Sequence, residues 1–127
     1  MTPPLRPGDV YSISRTYTTD DILAFAELTG DKGRHHMEPD EHGRLMVHGL
    51  MTASIGSKLA GDIHFIGREL HNEYLRPVFS GDTITCEVTV ELVEQKDGYR
   101  KVALRSIYRN QHGKEVIVGT TSGVVRD

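Results

Sequence analysis

The chain has 127 residues, of which 37% are hydrophobic and 26% charged, and this balance predicts one globular domain over residues 1–127. A formal net charge of -3 without runs of like charge argues against nucleic acid or a membrane surface as partner. One cysteine, a proline-rich start without a signal-peptide core and no apolar stretch of ~20 residues together predict a reduced, cytoplasmic protein without a membrane span.

The first part of the chain predicts a strand, a helix and then a long loop. Polar and apolar residues alternate over Val10–Arg15, which indicates a short strand. A threonine hydroxyl and two acidic residues open a helix predicted for Thr19–Thr29, and Gly30 is suited to end it. The segment Gly30–Met46 lacks a sustained period and is predicted to be a loop with one helical turn near Pro39–His42. Long loops of this kind are often functional.

The second part of the chain predicts a buried helix followed by four strands. Residues 49–60 leave almost no polar face, which is typical of a helix surrounded by other elements. The strands are predicted at residues 68–77, 82–93, 99–109 and 115–125. In the second of them apolar residues alternate with polar ones, so one face of the strand is predicted to be buried away from water. This dry face consists of Ile84, Cys86, Val88, Val90 and Leu92. A helix about 18 Å long is the element available to cover that face, so we expect an antiparallel sheet that curls around it.

The residues best suited to chemistry lie within the predicted loop and just after it. Asp31 and His36 are five positions apart, and a carboxylate and an imidazole this close can share a water and exchange protons with it. His35 is adjacent, so either histidine could be the partner of Asp31. His48 and Gly49 then open the buried helix, where the Gly49 N–H can stabilise a developing negative charge.

Other kinds of site are less well supported by the sequence. Histidines and acidic residues crowd residues 35–48, but the adjacent His35 and His36 do not readily converge on one ion, and no cysteine pair accompanies them. We therefore expect neither a metal nor a cofactor. Cys86, on the dry face of a strand, is expected to be an inert core thiol. The nucleophile motif of a serine hydrolase, Gly-x-Ser-x-Gly, does not occur.

Several motifs together resemble one known family. They are the Thr29-Gly30-Asp31 segment, the spacing from Asp31 to His36, the His48-Gly49-Leu50 start of the buried helix, and the segment Leu75–Asp82 that leads into the long strand. This combination is similar to the MaoC-like (R)-specific enoyl-CoA hydratase and dehydratase family. The resemblance implies an α+β hot-dog fold, in which a single curled antiparallel sheet wraps around a central apolar helix.

The resemblance also implies roles for particular residues. Asp31 and His36 match the catalytic aspartate and histidine of the family, and Ser57 matches a family position that lines the site. For the implied reaction we expect the Gly49 N–H, at the positive end of the helix dipole, to form the oxyanion hole, and His48 to line the substrate site without taking part in proton transfer. The implied reaction is the reversible addition of water to a trans-2-enoyl thioester of coenzyme A or acyl carrier protein.

The loop between the catalytic pair departs from the family pattern. Gly33 and Arg34 stand where family members carry asparagine and proline, so the side-chain hydrogen bond of the asparagine is lost. Two other functions therefore stay open, namely hydrolysis of an acyl-CoA thioester and binding of a thioester without catalysis. Unpaired sheet edges, together with the resemblance, predict a homodimer or a dimer of dimers.

Overall fold

The structure is a computed structural model that describes residues 4–127, and it contains a curled antiparallel sheet of five strands. The first three residues of the proline-rich start lie outside the described part. Strand order across the sheet is β1-β3-β4-β5-β2. The strands are β1 (Val10–Thr16), β2 (Phe65–Tyr74), β3 (Thr83–Gln95), β4 (Tyr99–Arg109) and β5 (Glu115–Arg126). All five were predicted, although β2 begins three residues before the predicted start.

The first helix, α1 (Thr19–Thr29), has the predicted bounds and both predicted ends. The side chain of Thr18 accepts the backbone N–H of Asp21, and the Asp21 carboxylate accepts the N–H of Thr18 in return. Such a reciprocal capping box satisfies two N–H groups that the first helical turn leaves free. Gly30 ends the helix in the left-handed conformation at φ 80°.

The helical turn predicted for Pro39–His42 was wrong in its position. The loop instead contains α2 (Arg34–Met37), and Glu38 after it is extended at ψ 125°. A residue before proline is disfavoured in the helical region, so Pro39 ends α2. The chain after it forms a turn closed by the Gly43 N–H, which donates to the Asp40 carbonyl at 2.9 Å, and not a helix. Beyond Pro39, the Asp40 carboxylate accepts hydrogen bonds from the backbone N–H groups of His42 and Arg44, so these two donors have partners without a helix.

The central helix runs from Gly49 to Asp62, but it is not one regular α-helix as predicted. It consists of α3 (Gly49–Ala53), a 3₁₀ turn (Ser54–Gly56) and α4 (Ser57–Asp62). The hydroxyl of Tyr108, on β4, donates to the Ala53 carbonyl at 2.7 Å. Ala53 is the last residue of α3, so this carbonyl is bonded by the sheet at the point where the α-helix changes to the 3₁₀ turn. Among residues 4–127 no helix is long and apolar enough to cross a membrane.

The core lies between the central helix and the inner face of the sheet. The helix contributes Met51, Ile55 and Leu59, and Ile63 follows at its end. The inner face of β3 has the predicted alternation only as far as Val90, because the pairing with β4 shifts at Glu91. Such a bulge reverses the faces that follow it. Consequently Val93, and not the predicted Leu92, packs against the core.

Cys86 is fully buried in the inner face of β3, and burial raises the pKa of its thiol to about 11. Because the thiolate is the reactive form, we expect native protein at pH 8 not to react with a thiol-specific disulfide reagent. The same reagent should titrate one thiol per chain after unfolding in guanidinium chloride. Rapid stoichiometric labelling of the native protein would contradict this burial.

Candidate active site

Asp31 is held by the end of α1. The Thr29 hydroxyl donates to the Phe25 carbonyl at 2.8 Å and accepts the backbone N–H of Asp31 at 3.1 Å. The helix is already terminated by Gly30, so the chain turns away with the carboxylate of Asp31 pointing outward, 57% exposed. One capped helix end therefore positions this carboxylate.

His36 lies on α2 and is buried, with 5% of its surface exposed. Its Nδ1 lies 2.7 Å from the Met46 carbonyl oxygen, and since a carbonyl can only accept, Nδ1 carries the proton of that hydrogen bond. In the neutral imidazole the lone pair is then on Nε2, which lies 3.7 Å from Oδ2 of Asp31. This separation exceeds a direct hydrogen bond and suits a molecule of water bridging the two groups.

His48 connects the two halves of this pair. It is 2% exposed, and its Nε2 donates to the backbone carbonyl of Asp31 at 2.9 Å. Its ring stacks on that of His36, with 3.7 Å between centroids and 13° between planes. It also packs against the Phe25 ring in a T-shaped arrangement, with 4.9 Å between centroids. His48 therefore restrains the backbone of Asp31 and the ring of His36 at the same time.

The unusual Gly33 and Arg34 are accommodated by backbone contacts. The Gly33 N–H donates to Oδ1 of Asp31 at 3.2 Å, which fixes the carboxylate without an asparagine side chain. A Cβ at position 33 would come within 2.9 Å of the His35 ring, so glycine allows this tight turn. Arg34 is exposed and pairs loosely with Glu38 at 3.7 Å, an interaction of little energetic weight.

Gly49 begins the central helix between two cavities. One, of about 300 Å³, is lined by apolar residues and by His35, His36, Thr52, Tyr74 and Arg76. The other, of about 280 Å³, is lined by Asp31 and His48 among others. The first N–H groups of a helix have no acceptor within it, so the Gly49 N–H is available to a ligand. A Cβ at Gly49 would lie 2.8 Å from the Tyr74 ring.

Ser57 is not brought together with the other predicted site residues. It lies eight positions beyond Gly49, about 12 Å along the helix. It lines a separate cavity of about 350 Å³ together with Ala60, Leu70 and Tyr108. Its predicted role in lining a substrate site stays a prediction.

Two residues of the site were missed from the sequence, Thr52 and Tyr74. Thr52 is three positions after Gly49, and residues at this spacing share a helix face, so its placement beside the helix start could have been inferred. It is 1% exposed, and its hydroxyl has no hydrogen-bond partner within residues 4–127. Tyr74 comes from the distant end of β2, and no local pattern indicates its contact with Gly49.

The donor atoms of Asp31, His36 and His48 lie within 4.8 Å of one another, which raises the question of a metal. A ligating histidine directs a nitrogen lone pair in the plane of its ring, at about 2.0–2.1 Å from zinc. The rings of His36 and His48 are nearly parallel and 3.7 Å apart, so one ion cannot lie in both planes. This geometry suits proton transfer better than metal binding.

The buried hydroxyl of Thr52 has a consequence for stability. We expect Thr52→Val to raise the free energy of unfolding by about 1 kcal/mol, because an unpaired buried hydroxyl is replaced by a methyl group of the same shape. Guanidinium unfolding followed by circular dichroism measures the change. Thr52→Ser, which keeps the hydroxyl and loses the methyl, should be less stable than the wild type. A destabilised Thr52→Val would contradict the unpaired state of the hydroxyl.

Comparison with known proteins identifies relatives of this chain. The Thioesterase superfamily profile matches residues 44–97. The chain is 30% identical over 105 residues to the (R)-specific enoyl-CoA hydratase of Rhodospirillum rubrum, covering 72% of this chain and 71% of that protein. It is 27% identical over 130 residues to the mitochondrial 3-hydroxyacyl-[acyl-carrier-protein] dehydratase of Arabidopsis thaliana, covering 95% of this chain and 78% of that protein.

A solved structure extends the likeness to the whole fold. The (R)-hydratase from A. caviae, involved in PHA biosynthesis, superposes with a TM-score of 0.84 at 26% identity, covering 97% of this chain and 98% of that one. These relatives are named as hydratases and a dehydratase, and the solved structure shares the fold of this chain. The chain belongs to the MaoC-like (R)-specific enoyl-CoA hydratase and dehydratase family and has its hot-dog fold.

Proposed function

We propose that this protein adds water reversibly to trans-2-enoyl-CoA and forms the (R)-3-hydroxyacyl-CoA. The observation that carries the proposal is the pair formed by Asp31 and His36, whose Oδ2 and Nε2 atoms lie 3.7 Å apart beside the start of the central helix. One group is exposed and the other buried, so the pair stands at the boundary between solvent and the cavity.

In the proposed mechanism, a water between Asp31 and His36 donates one hydrogen to each. Attack of its oxygen on C3 breaks one O–H bond and transfers that proton to one of the two acceptors. The electron pair of the double bond moves toward the thioester and forms an enolate. The proton then passes to C2, so one water is added and both side chains return to their starting state.

The enolate oxygen requires stabilisation while C2 awaits its proton. We assign this role to the N–H of Gly49, because it is the first of the central helix and lines both cavities beside the catalytic pair. Glycine at this position keeps the approach to the N–H free of a side chain. The thioester carbonyl would lie at the helix start.

We further propose that two copies of the chain pair along β2. Its outer edge has no strand partner within residues 4–127. Along it, Ile66, Leu70 and Tyr74 are 43%, 64% and 50% exposed, which is unusual for large apolar side chains at a free sheet edge. Since Tyr74 also contacts Gly49, such an interface would lie next to the active site.

The proposed reaction is tested with purified protein and crotonyl-CoA. We expect loss of the absorbance of the conjugated thioester without release of free thiol, and chiral chromatography should identify the (R)-3-hydroxy product. Release of thiol would instead indicate the thioesterase reaction suggested by the name of the matched superfamily. Binding of crotonyl-CoA without either reaction would indicate a thioester-binding protein and refute catalysis.

A further inference from the structure

We infer that the acyl chain of the substrate ends in a carboxylate and that Arg76 binds this group. The inference rests on the proposed hydratase function and specifies the substrate class of the same site. That class is the enoyl thioester of a short dicarboxylic acid, in which one carboxyl group forms the thioester and the other is free and negatively charged at neutral pH.

The first observation is the charge of the larger cavity beside the catalytic pair. This cavity is lined by the permanently charged Arg76 and by the imidazoles of His35 and His36, and none of the described residues that line it is acidic. The chain as a whole has a net charge of -3, so the cavity differs in charge from the rest of the chain. Asp31 lines the other cavity. A cavity lined by one sign of charge favours a ligand of the opposite sign.

The second observation is the state of the Arg76 side chain. Its Nη1 donates to the backbone carbonyl of Glu115 at 2.6 Å, which anchors the guanidinium at the start of β5. Within residues 4–127 it forms no ion pair, whereas Arg44 pairs with Asp40 at 3.0 Å. A guanidinium has five N–H donors in a planar fork, so most of them are available to a ligand.

The third observation is the place of this guanidinium relative to the reacting groups. Arg76 lines the same cavity as His36 and Gly49, so a thioester with its carbonyl at Gly49 would direct one of its two arms toward Arg76. The phosphates of coenzyme A lie beyond the whole pantetheine arm, which is too long for a cavity of about 300 Å³ that also holds the reacting carbons. A short acyl chain with a terminal carboxylate fits this space. We therefore assign the acyl chain to this cavity.

These observations predict that the enzyme prefers a carboxylate at the end of the chain to a methyl group. Arginine binds a carboxylate through two parallel, charge-assisted N–H···O bonds. A chain that ends in a methyl group would displace water from the guanidinium and offer no acceptor in its place. Sites built to hydrogen-bond one group discriminate against analogues that lack it.

The test compares 5-carboxy-trans-2-pentenoyl-CoA with trans-2-hexenoyl-CoA, whose acyl chains differ in the terminal group alone. We expect the wild type to have the higher kcat/KM with the carboxylated substrate, by about 10-fold or more. Arg76→Gln should lower this ratio by about 10-fold or more. The matched control Arg15→Gln removes the same charge from an exposed position on β1, the opposite edge strand, and should keep the ratio. An unchanged ratio in Arg76→Gln, or an equal loss with both substrates, would overturn the inference.

The same two acyl groups on N-acetylcysteamine distinguish a carboxylate from a phosphate as the group that Arg76 binds, because this thiol lacks the phosphates of coenzyme A. We expect Arg76→Gln to lower the ratio of kcat/KM by the same factor with these thioesters. If Arg76 bound a phosphate, the variant would impair both coenzyme A thioesters alike and neither N-acetylcysteamine thioester, and that result would refute the inference.

A binding measurement separates this inference from the proposed reaction. If the wild type hydrates none of these thioesters, the hydratase proposal fails, but calorimetry with hexanoyl-CoA and 5-carboxypentanoyl-CoA still gives two dissociation constants. We expect the carboxylated compound to bind more tightly to the wild type, and Arg76→Gln to reduce this preference by about 10-fold or more. The same preference in wild type and Arg76→Gln would refute carboxylate binding by Arg76 even without catalysis.

Discussion

Replacing Asp31 with asparagine is expected to lower kcat/KM for crotonyl-CoA by about 10³-fold, the usual contribution of one group in acid–base catalysis. The melting temperature should stay near that of the wild type, because the side chain is 57% exposed and the amide oxygen of asparagine can still accept the Gly33 N–H. Absorbance kinetics and a thermal melt measure the two effects.

Glu41→Gln is the matched control for this variant. Glu41 lies in the same segment of the chain, its side chain is 87% exposed, and its Oε1 lies 3.6 Å from Nε2 of the exposed His42. Its activity should equal that of the wild type. Near-normal turnover in Asp31→Asn would remove Asp31 from the mechanism.

His36→Asn tests the other member of the pair by the same assay. Asparagine places an N–H donor near the position of Nδ1, so the bond to the Met46 carbonyl can be kept while Nε2 is removed. A loss as large as that of Asp31→Asn, and no further loss in the double variant, is expected if one water is shared by both groups. Additive losses would indicate two independent roles.

Gly49→Ala keeps the backbone N–H but should block the approach of a ligand to it, which we expect to lower kcat/KM by about 10²-fold or more, the size of effect found when one oxyanion donor is removed. The new Cβ would lie 2.8 Å from the Tyr74 ring and would also obstruct the approach to the N–H between the two cavities. The half-exposed Tyr74 can move, so the fold should persist. Steady-state kinetics with a thermal melt separate the two effects.

Two further variants complete this test. The first is a control on the same helix, and the second distinguishes obstruction of the N–H from crowding of Tyr74. Gly61→Ala, on the same helix, meets no atom within 4 Å and should be fully active and more stable by about 0.5–1 kcal/mol. Tyr74→Leu combined with Gly49→Ala removes the crowding and should still be impaired. Full recovery in that double variant would mean that Gly49 serves only to make room for Tyr74.

The elements that could be predicted were those with local causes. The capping residues of α1 lie within a few positions of its ends, so the helix was predicted correctly. The dry face of β3 follows from the alternation of its residues, and it was predicted correctly as far as Val90. The bulge at Glu91 depends on pairing with β4, and the 3₁₀ turn depends on Tyr108 from another strand. Neither has a signal within its own segment.

The sequence by itself determined that this chain forms a helix wrapped by an antiparallel sheet, and it indicated Asp31, His36 and Gly49 as candidates, because periodicity and short spacings act within one segment. Only the tertiary structure decided how they meet. The bond from His48 to Asp31, the stacking of His48 on His36 and the contact of Tyr74 with Gly49 join residues from different elements. Whether the buried Thr52 hydroxyl has a hydrogen-bond partner likewise depends on all the residues that pack around it. Such relations depend on distances in space, which packing sets and local sequence does not encode.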